Sequence, residues 1–144
     1  MGGLRVVRVG LGAAAIAVGL VTAGCLAPSK PAPPAPASLS MSPATANFPT
    51  LPPPYSPMPI IPVTVTNTGG HTANSVTVTG VGVYSVPTNG CMSATLAPGQ
   101  SCVADIQFCP GAPGPYMATL TVTGRDAVTG SMLDATSALD GNAT

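Results

Sequence analysis

The chain has 144 residues, of which four are Lys or Arg and four are Asp, with no Glu and no Trp. So few charges exclude a basic surface that neutralises phosphates, which argues against nucleic-acid binding. A single His leaves little material for acid–base or nucleophilic catalysis. We therefore expect neither an enzyme nor a small-molecule substrate, and no cofactor.

The N-terminal segment has the organisation of a secretory signal peptide. Arg5 and Arg8 precede an uncharged stretch from 9 to 23 that is rich in Gly and Ala. A membrane-spanning helix needs roughly 20 apolar residues, so this shorter stretch favours a cleaved leader over a permanent span. Residues 1–24 are predicted to be a signal helix, and the chain that remains has two basic residues against four Asp, a net charge of −2.

The sequence Val21-Thr22-Ala23-Gly24-Cys25 resembles the bacterial lipobox, in which small residues precede a Cys that is acylated and then exposed by cleavage. The alternative is cleavage at Cys25-Leu26-Ala27, but Pro28 follows that bond and its ring is expected to hinder the peptidase. The resemblance implies lipidation of Cys25 and stable anchoring through several acyl chains. It implies a bacterial cell envelope location, at the outer membrane if the cell is Gram-negative, with the domain in the periplasm or at the cell surface.

A proline-rich tether follows the proposed lipidation site and is assigned to residues 25–37. Residues 27–37 read APSKPAPPAPA and contain five prolines. This composition forms neither a helix nor a sheet ladder, and it favours extended polyproline II of about 3.1 Å per residue. We expect a disordered, semi-rigid spacer, and the alternative is a proline-motif ligand for a recognition domain.

From residue 38 onward, Val and Thr alternate with the period of a β-strand. The pattern is clearest at 63–66, 76–79 and 119–123, and Gly, Pro and Asn turn signals separate the runs. The predicted strands lie near 38–42, 58–67, 74–79, 81–86, 101–108, 116–124 and 131–140. About seven short strands predict one all-β domain over residues 38–144, an immunoglobulin-like β-sandwich.

The segment from 45 to 62 is less regular, because it carries seven prolines that each lack a ladder donor. We predict an irregular crossing or a ragged edge there. Tyr55, Ile60 and Ile61 are the apolar residues that an alternating strand explains least, so they are the candidate binding residues. Core packing is the alternative for the two isoleucines.

Three cysteines remain once the first is assigned to the lipid, and an exported chain keeps disulfides. Cys91 and Cys102 flank a Pro98-Gly99 turn that brings the chain back on itself. Cys102 has the inward parity of its strand, whereas Cys109 has the opposite parity. We therefore predict a disulfide between Cys91 and Cys102, with a free thiol at Cys109.

The turn and cysteine motifs carry a more specific resemblance. VTVTNTG at 63–69, LAPGQSC at 96–102 and FCP at 108–110 resemble the bacterial choice-of-anchor D repeat. That family is similar to the Hydin-type and major-sperm-protein-like immunoglobulin folds, and it usually has a small hydroxyl residue where Cys109 stands. The resemblance implies a non-catalytic binding or scaffold module, held at the membrane by its lipid and bound to an envelope protein that the sequence does not identify.

Two further functions have a basis in the sequence. One is a structural accessory lipoprotein of an envelope or secretion machine, and the other is a periplasmic Cu(I)-binding protein that uses methionines and His71. The methionines show no clustered spacing, so we expect gap-filling Met, an exposed loop His71 and no metal site. Solvated positions are expected for the four carboxylates, Asp105, Asp126, Asp134 and Asp140.

Overall fold

The computed structural model describes residues 30–144, and the predicted signal peptide and lipidation site at Cys25 lie outside this range. All regular elements in it are strands: β1 Leu39–Ser42, β2 Thr45–Asn47, β3 Ile60–Asn67, β4 Ala73–Thr79, β5 Tyr84–Asn89, β6 Ala94–Leu96, β7 Ser101–Phe108, β8 Gly114–Asp126 and β9 Met132–Ala143. No helix in this part of the chain is long and apolar enough to cross a membrane.

The strands form two sheets that enclose a common core. One has the order β1-β3-β7-β5 and the other β2-β9-β8-β4-β6. Neighbours are antiparallel except for β2 and β9, which are parallel. The predicted all-β, immunoglobulin-like sandwich is confirmed. It has nine strands rather than about seven, because β2 and β6, of three residues each, escape the sequence pattern.

Strand β2 lies inside the segment from 45 to 62, for which the sequence predicts an irregular crossing. Its three residues pair with Ala138–Asp140 of β9, and its central Ala46 is buried. After β2 the chain has no strand until β3, only an isolated bridge between Leu51 and Ala143. The irregular crossing therefore spans residues 48–59, where the prolines are concentrated.

The core confirms the predicted alternation of Val and Thr. In β3, Val63 and Val65 are fully buried, whereas Thr64 and Thr66 are partly exposed. The inward parity predicted for β7 is also present, since Ala104, Ile106 and Phe108 are fully buried. Burying a Val, Ile or Phe side chain stabilises the fold by about 1.5–3 kcal/mol.

An aromatic cluster fills one end of the core in this Trp-free chain. Phe48, Tyr84, Phe108 and Tyr116 pack with ring centroids 5.3 to 5.8 Å apart. The Tyr84 hydroxyl donates to the backbone oxygen of Tyr116 at 2.8 Å, so the polar tip of this buried ring is satisfied. Burial, followed by the nearby charge of Asp140, raises the pKa of Tyr84.

The strand register defines two ends of the sandwich. At one end, called the tether end, residues 33–38 lie against the β3–β4 and β8–β9 turns. Gly70 N–H, in the first turn, donates to Ala35 O at 3.0 Å. Ala37 N–H donates to the carboxylate of Asp126, at the start of the second turn, at 2.7 Å. At the opposite end, called the proline end, Phe108 N–H donates to Pro59 O at 3.1 Å. Strand β9 runs from one end to the other, and its 12 residues span about 36–40 Å at ~3.3 Å each.

Candidate functional site

The predicted disulfide is present. Cys91, in the turn between β5 and β6, is bonded to Cys102 of β7, with Cα atoms 5.3 Å apart. Within the described residues Cys109 is the free cysteine, and its sulfur lies 3.5 Å from both Ser85 Oγ and Gln107 Oε1. The disulfide ties the β5–β6 turn to the sheet that contains β7.

His71 and Asp126 form the polar centre of the tether end, and for both of them the predicted exposure is wrong. Asp126 is only 2% exposed. It has the same parity on β8 as the buried Leu120 and Val122, so the strand carries its carboxylate inward. The His71 side chain is 16% exposed, and its Nδ1 lies 3.0 Å from that carboxylate.

The Asp126 carboxylate is surrounded by donors. It accepts hydrogen bonds from the backbone N–H groups of Ala37 at 2.7 Å, Val128 at 2.7 Å and Thr129 at 2.9 Å, in addition to His71. The Thr129 N–H is the largest cause that holds the pKa of Asp126 well below its ordinary value. Burial opposes this shift, and the Ala37, Val128 and His71 hydrogen bonds add to it.

Asn67 is a second buried polar group at the tether end, and sequence reasoning missed it. Its Oδ1 accepts from Ser38 N–H at 3.3 Å and Gly69 N–H at 3.0 Å. Its Nδ2 donates to His71 O at 2.8 Å and Leu96 O at 2.9 Å. The side-chain amide is thus fully hydrogen-bonded, as a buried Asn requires. The available signal was its inward parity at the end of the Val-Thr-Val-Thr run.

The His71–Asp126 pair has the geometry of the orienting half of a general-base dyad. Its surroundings are those of a structural pair, because most of the carboxylate contacts go to backbone N–H groups of the β8–β9 turn and of Ala37. No Ser, Thr or Cys side chain in residues 30–144 is hydrogen-bonded to His71. What the arrangement does chemically is hold three chain segments together.

The three predicted binding residues all lie at the proline end, in different environments. Ile60 is 50% exposed, whereas Ile61 and Tyr55 are partly buried and pack against the core. Met58, which the sequence analysis assigned to gap filling, is 43% exposed beside them. We call residues 52–60 the proline rim. It contains no charged residue and five prolines, so it presents an uncharged and largely apolar edge.

The other exposed methionines are dispersed over the surface. In the β8–β9 register, Met117 lies opposite Asp140 and Met132 lies opposite Arg125. The two methionines are therefore eight positions apart along the ladder, or about 26 Å. Met117 borders an open depression of about 370 Å³ on the outer face of the five-stranded sheet. Across residues 30–144, no three His, Cys, Asp or Glu side chains come together as a metal site.

Comparison with solved structures identifies the fold. The chain is similar to the ASH/PapD-like domain 7 of human CEP192, with a TM-score of 0.58 and 15% identity over 85% of this chain and 96% of that one. It is also similar to the Vibrio cholerae VesB protease, with a TM-score of 0.56 and 21% identity over 74% of this chain. This chain covers only 31% of the protease chain. No protein-family model and no curated protein matches the sequence.

At these identities the similarity establishes a PapD-like, immunoglobulin-like β-sandwich and nothing about activity. In a fold of this kind, loops at the two ends project from a rigid pair of sheets. The described residues offer such a loop in the proline rim.

Proposed function

We propose that this chain is a lipid-anchored, non-catalytic binding or scaffold protein of the bacterial cell envelope. In this proposal Cys25 carries the lipid, the proline-rich segment separates the domain from the membrane, and the proline rim binds an envelope protein. The observation that carries the proposal is the position of the rim. It lies at the end of the sandwich opposite to the one where residues 33–38 join the domain.

A domain that is tethered at one end presents its other end to the surroundings. Ala37 is bound at the tether end, and Pro59 is bound at the proline end beside Phe108. An anchor at Cys25 would reach the domain through its tether end, so it would leave the rim free to bind a partner.

The composition of the rim suits protein binding. Its exposed apolar side chains, Met58 and Ile60, carry no neighbouring charge that would have to be desolvated. Its prolines restrict the backbone before binding, which lowers the conformational entropy that association removes. Their nitrogens carry no hydrogen, so the rim favours a partner with an apolar patch and hydrogen-bond donors. The resemblance to the choice-of-anchor D repeat supports the same type of function.

The test compares exposed side chains at the two ends of the domain, two in the rim and one at the tether end. We expect the double substitution Met58→Ser and Ile60→Ser to weaken capture of the partner from detergent-solubilised envelopes, because it removes the exposed apolar area of the rim. The matched control is Met132→Ser, a 62% exposed methionine at the tether end, and it should leave capture unchanged. Thermal unfolding should be nearly unchanged in both variants, since these side chains lie outside the core.

Equal capture by the rim variant and the control would show that the rim is not the binding surface. If the rim variant loses folding and capture together, the rim has a purely structural role. Stoichiometric recovery of secretion-system proteins by the native chain would instead favour the structural accessory lipoprotein.

A further inference from the structure

We infer that Asp126 and Asn67 form a latch that fastens residues 35–38, where the proline-rich tether meets the domain, to the sandwich. In consequence, the spacer does not hinge at the first residue of the sandwich. Any hinge lies before Ala35, and the domain keeps a fixed orientation relative to residues 35–38. This inference goes beyond the proposed function and does not depend on the lipid.

The first part of the latch consists of backbone N–H groups. Residues 33–38 contain three prolines, so the only N–H donors in this stretch belong to Ala35, Ala37 and Ser38. Two of these three donate to buried side chains, Ala37 to Asp126 at 2.7 Å and Ser38 to Asn67 at 3.3 Å. The Ala37 bond ends on a carboxylate, and charge-assisted hydrogen bonds are stronger than neutral ones.

The second part consists of backbone carbonyls. Ala35 O and Pro36 O both accept from Gly70 N–H, at 3.0 and 3.2 Å. The approach requires glycine, since a Cβ on Gly70 would lie 2.8 Å from Ala35 O and one on Gly69 would clash with Pro36 O. The Gly-Gly turn thus admits the proline-rich chain at close range, while the side chain of Ala37 is buried beside it.

His71 connects the two buried acceptors of the latch. Its ring contacts Asp126, and its backbone oxygen accepts from Asn67 Nδ2 at 2.8 Å. We assign it as a positioning residue that keeps the carboxylate aimed at Ala37. The neighbouring charged residues Arg125 and Asp134 are exposed on the outer face of the sheet, so they take no part in the latch.

Amide hydrogen exchange on the full chain in detergent tests the latch, with the neighbouring amides of Ala35 and Ala37 as the readout. The Ala37 amide should be protected in the native chain, whereas Ala35 N–H has no hydrogen-bond partner in the described residues and should exchange freely. In Asp126→Asn, which keeps the side-chain shape, Ala37 exchange should accelerate at least about tenfold. Core amides such as Ile106 should keep their native rates.

Asp134→Asn is the matched control, an exposed carboxylate on the adjacent strand, and it should leave Ala37 exchange unchanged. His71→Ala should accelerate Ala37 by a smaller factor, about threefold, because the backbone bonds to Asp126 remain. An unprotected Ala37 amide in the native chain overturns the latch. So does an Asp126→Asn variant in which Ala37 and Ile106 accelerate equally. If that variant fails to fold, the His71→Ala variant decides. Faster exchange of the Ala37 amide with an unchanged rate at Ile106 supports the latch, and an unchanged rate at Ala37 overturns it.

Discussion

Asp126 combines near-complete burial with a charge in a protein that has only four carboxylate side chains. Burying an isolated carboxylate is costly, and here three backbone N–H groups and His71 replace the water that the group loses. The same rule holds throughout residues 30–144, where every buried side-chain nitrogen or oxygen has a hydrogen-bond partner. The tether end is therefore held together by polar contacts, whereas the proline end is held together by aromatic packing.

The lowered pKa of Asp126 predicts how stability depends on pH. The folded state binds a proton at Asp126 less readily than the unfolded state, in which the pKa of this carboxyl is about 3.8. Its contribution to stability is therefore complete above that value and is lost as the pH falls through the lower folded value. In urea titrations at a series of pH values, the native free energy of unfolding should fall in acid. Asp126→Asn should lower it at neutral pH and make the acid limb shallower.

Asp134→Asn serves as the control, since this exposed side chain has no contacts of that kind and the acid limb should keep its native slope. Identical acid limbs in the native chain and Asp126→Asn would contradict the role of the buried carboxylate.

Single residues were predictable from the sequence where parity alone decides their position. The Cys91–Cys102 pair follows from a turn and an alternating strand, and it is correct. Asp126 was assigned to solvent because of its charge, although its parity on β8 is inward. The role of Asn67 depends on backbone groups of Ser38, Gly69, His71 and Leu96, and local periodicity carries no information about such partners.

Among the elements, the longer strands were predictable and the shortest were not. Strands β3, β7 and β8 each contain several alternations of buried and exposed residues, which is what the Val and Thr pattern encodes. Strands β2 and β6 have three residues each and one buried position each. β2 owes its place to pairing with the last strand of the chain, a tertiary contact that outweighs the prolines that follow it.

Strand β9 provides a prediction at this scale, because its Gly141 faces the aromatic cluster. An added Cβ would lie 2.8 and 2.9 Å from two ring carbons of Phe108, and 2.9 Å from the Tyr84 hydroxyl, which is fixed by its bond to Tyr116. Gly141→Ala should therefore overpack the core and destabilise the domain by about 1–3 kcal/mol. Thermal unfolding should show a lower midpoint, by roughly 4–8 °C for each kcal/mol in a domain of this size.

Gly111→Ala is the matched control in the loop between β7 and β8. A Cβ at that position meets nothing within 4 Å, so its midpoint should stay close to the native one. Equal thermal midpoints for Gly141→Ala and Gly111→Ala would show that Gly141 does not pack against the rings of Phe108 and Tyr84.

At the scale of the whole molecule, two sheets form one core and separate two ends of different chemistry. The sequence was sufficient to predict a single β-sandwich domain, because the alternating strands and turns recur along its length. It did not predict which loops share an end, since this follows from strand order and register, which sequence periodicity does not contain.

The proposed anchor gives the whole-molecule prediction. Cys25→Ser should abolish labelling by a palmitate analogue and leave an unprocessed or non-acylated chain, because the acylated sulfur is absent. The domain should still fold, with the Cys91–Cys102 disulfide recovered by non-reducing peptide mapping. Cys109→Ser is the control and should be labelled like the native chain, since it removes the free thiol of the described residues and leaves Cys25 in place. Equal labelling of the native and Cys25→Ser chains, or labelling of neither, would refute the anchor.

The separation of the two ends also has a mechanical consequence. β1 starts at the tether end and β3 starts at the proline end, and the two are antiparallel neighbours from Leu39 opposite Asn67 to Ser42 opposite Thr64. A pull between the proposed membrane anchor and the proposed partner on the rim would act on these strands in opposite directions along their lengths. Their ladder hydrogen bonds lie across that direction, so they carry the load in shear, all together. A domain attached in this way resists extension by its whole ladder, whereas a pull at one end would peel the bonds apart one by one.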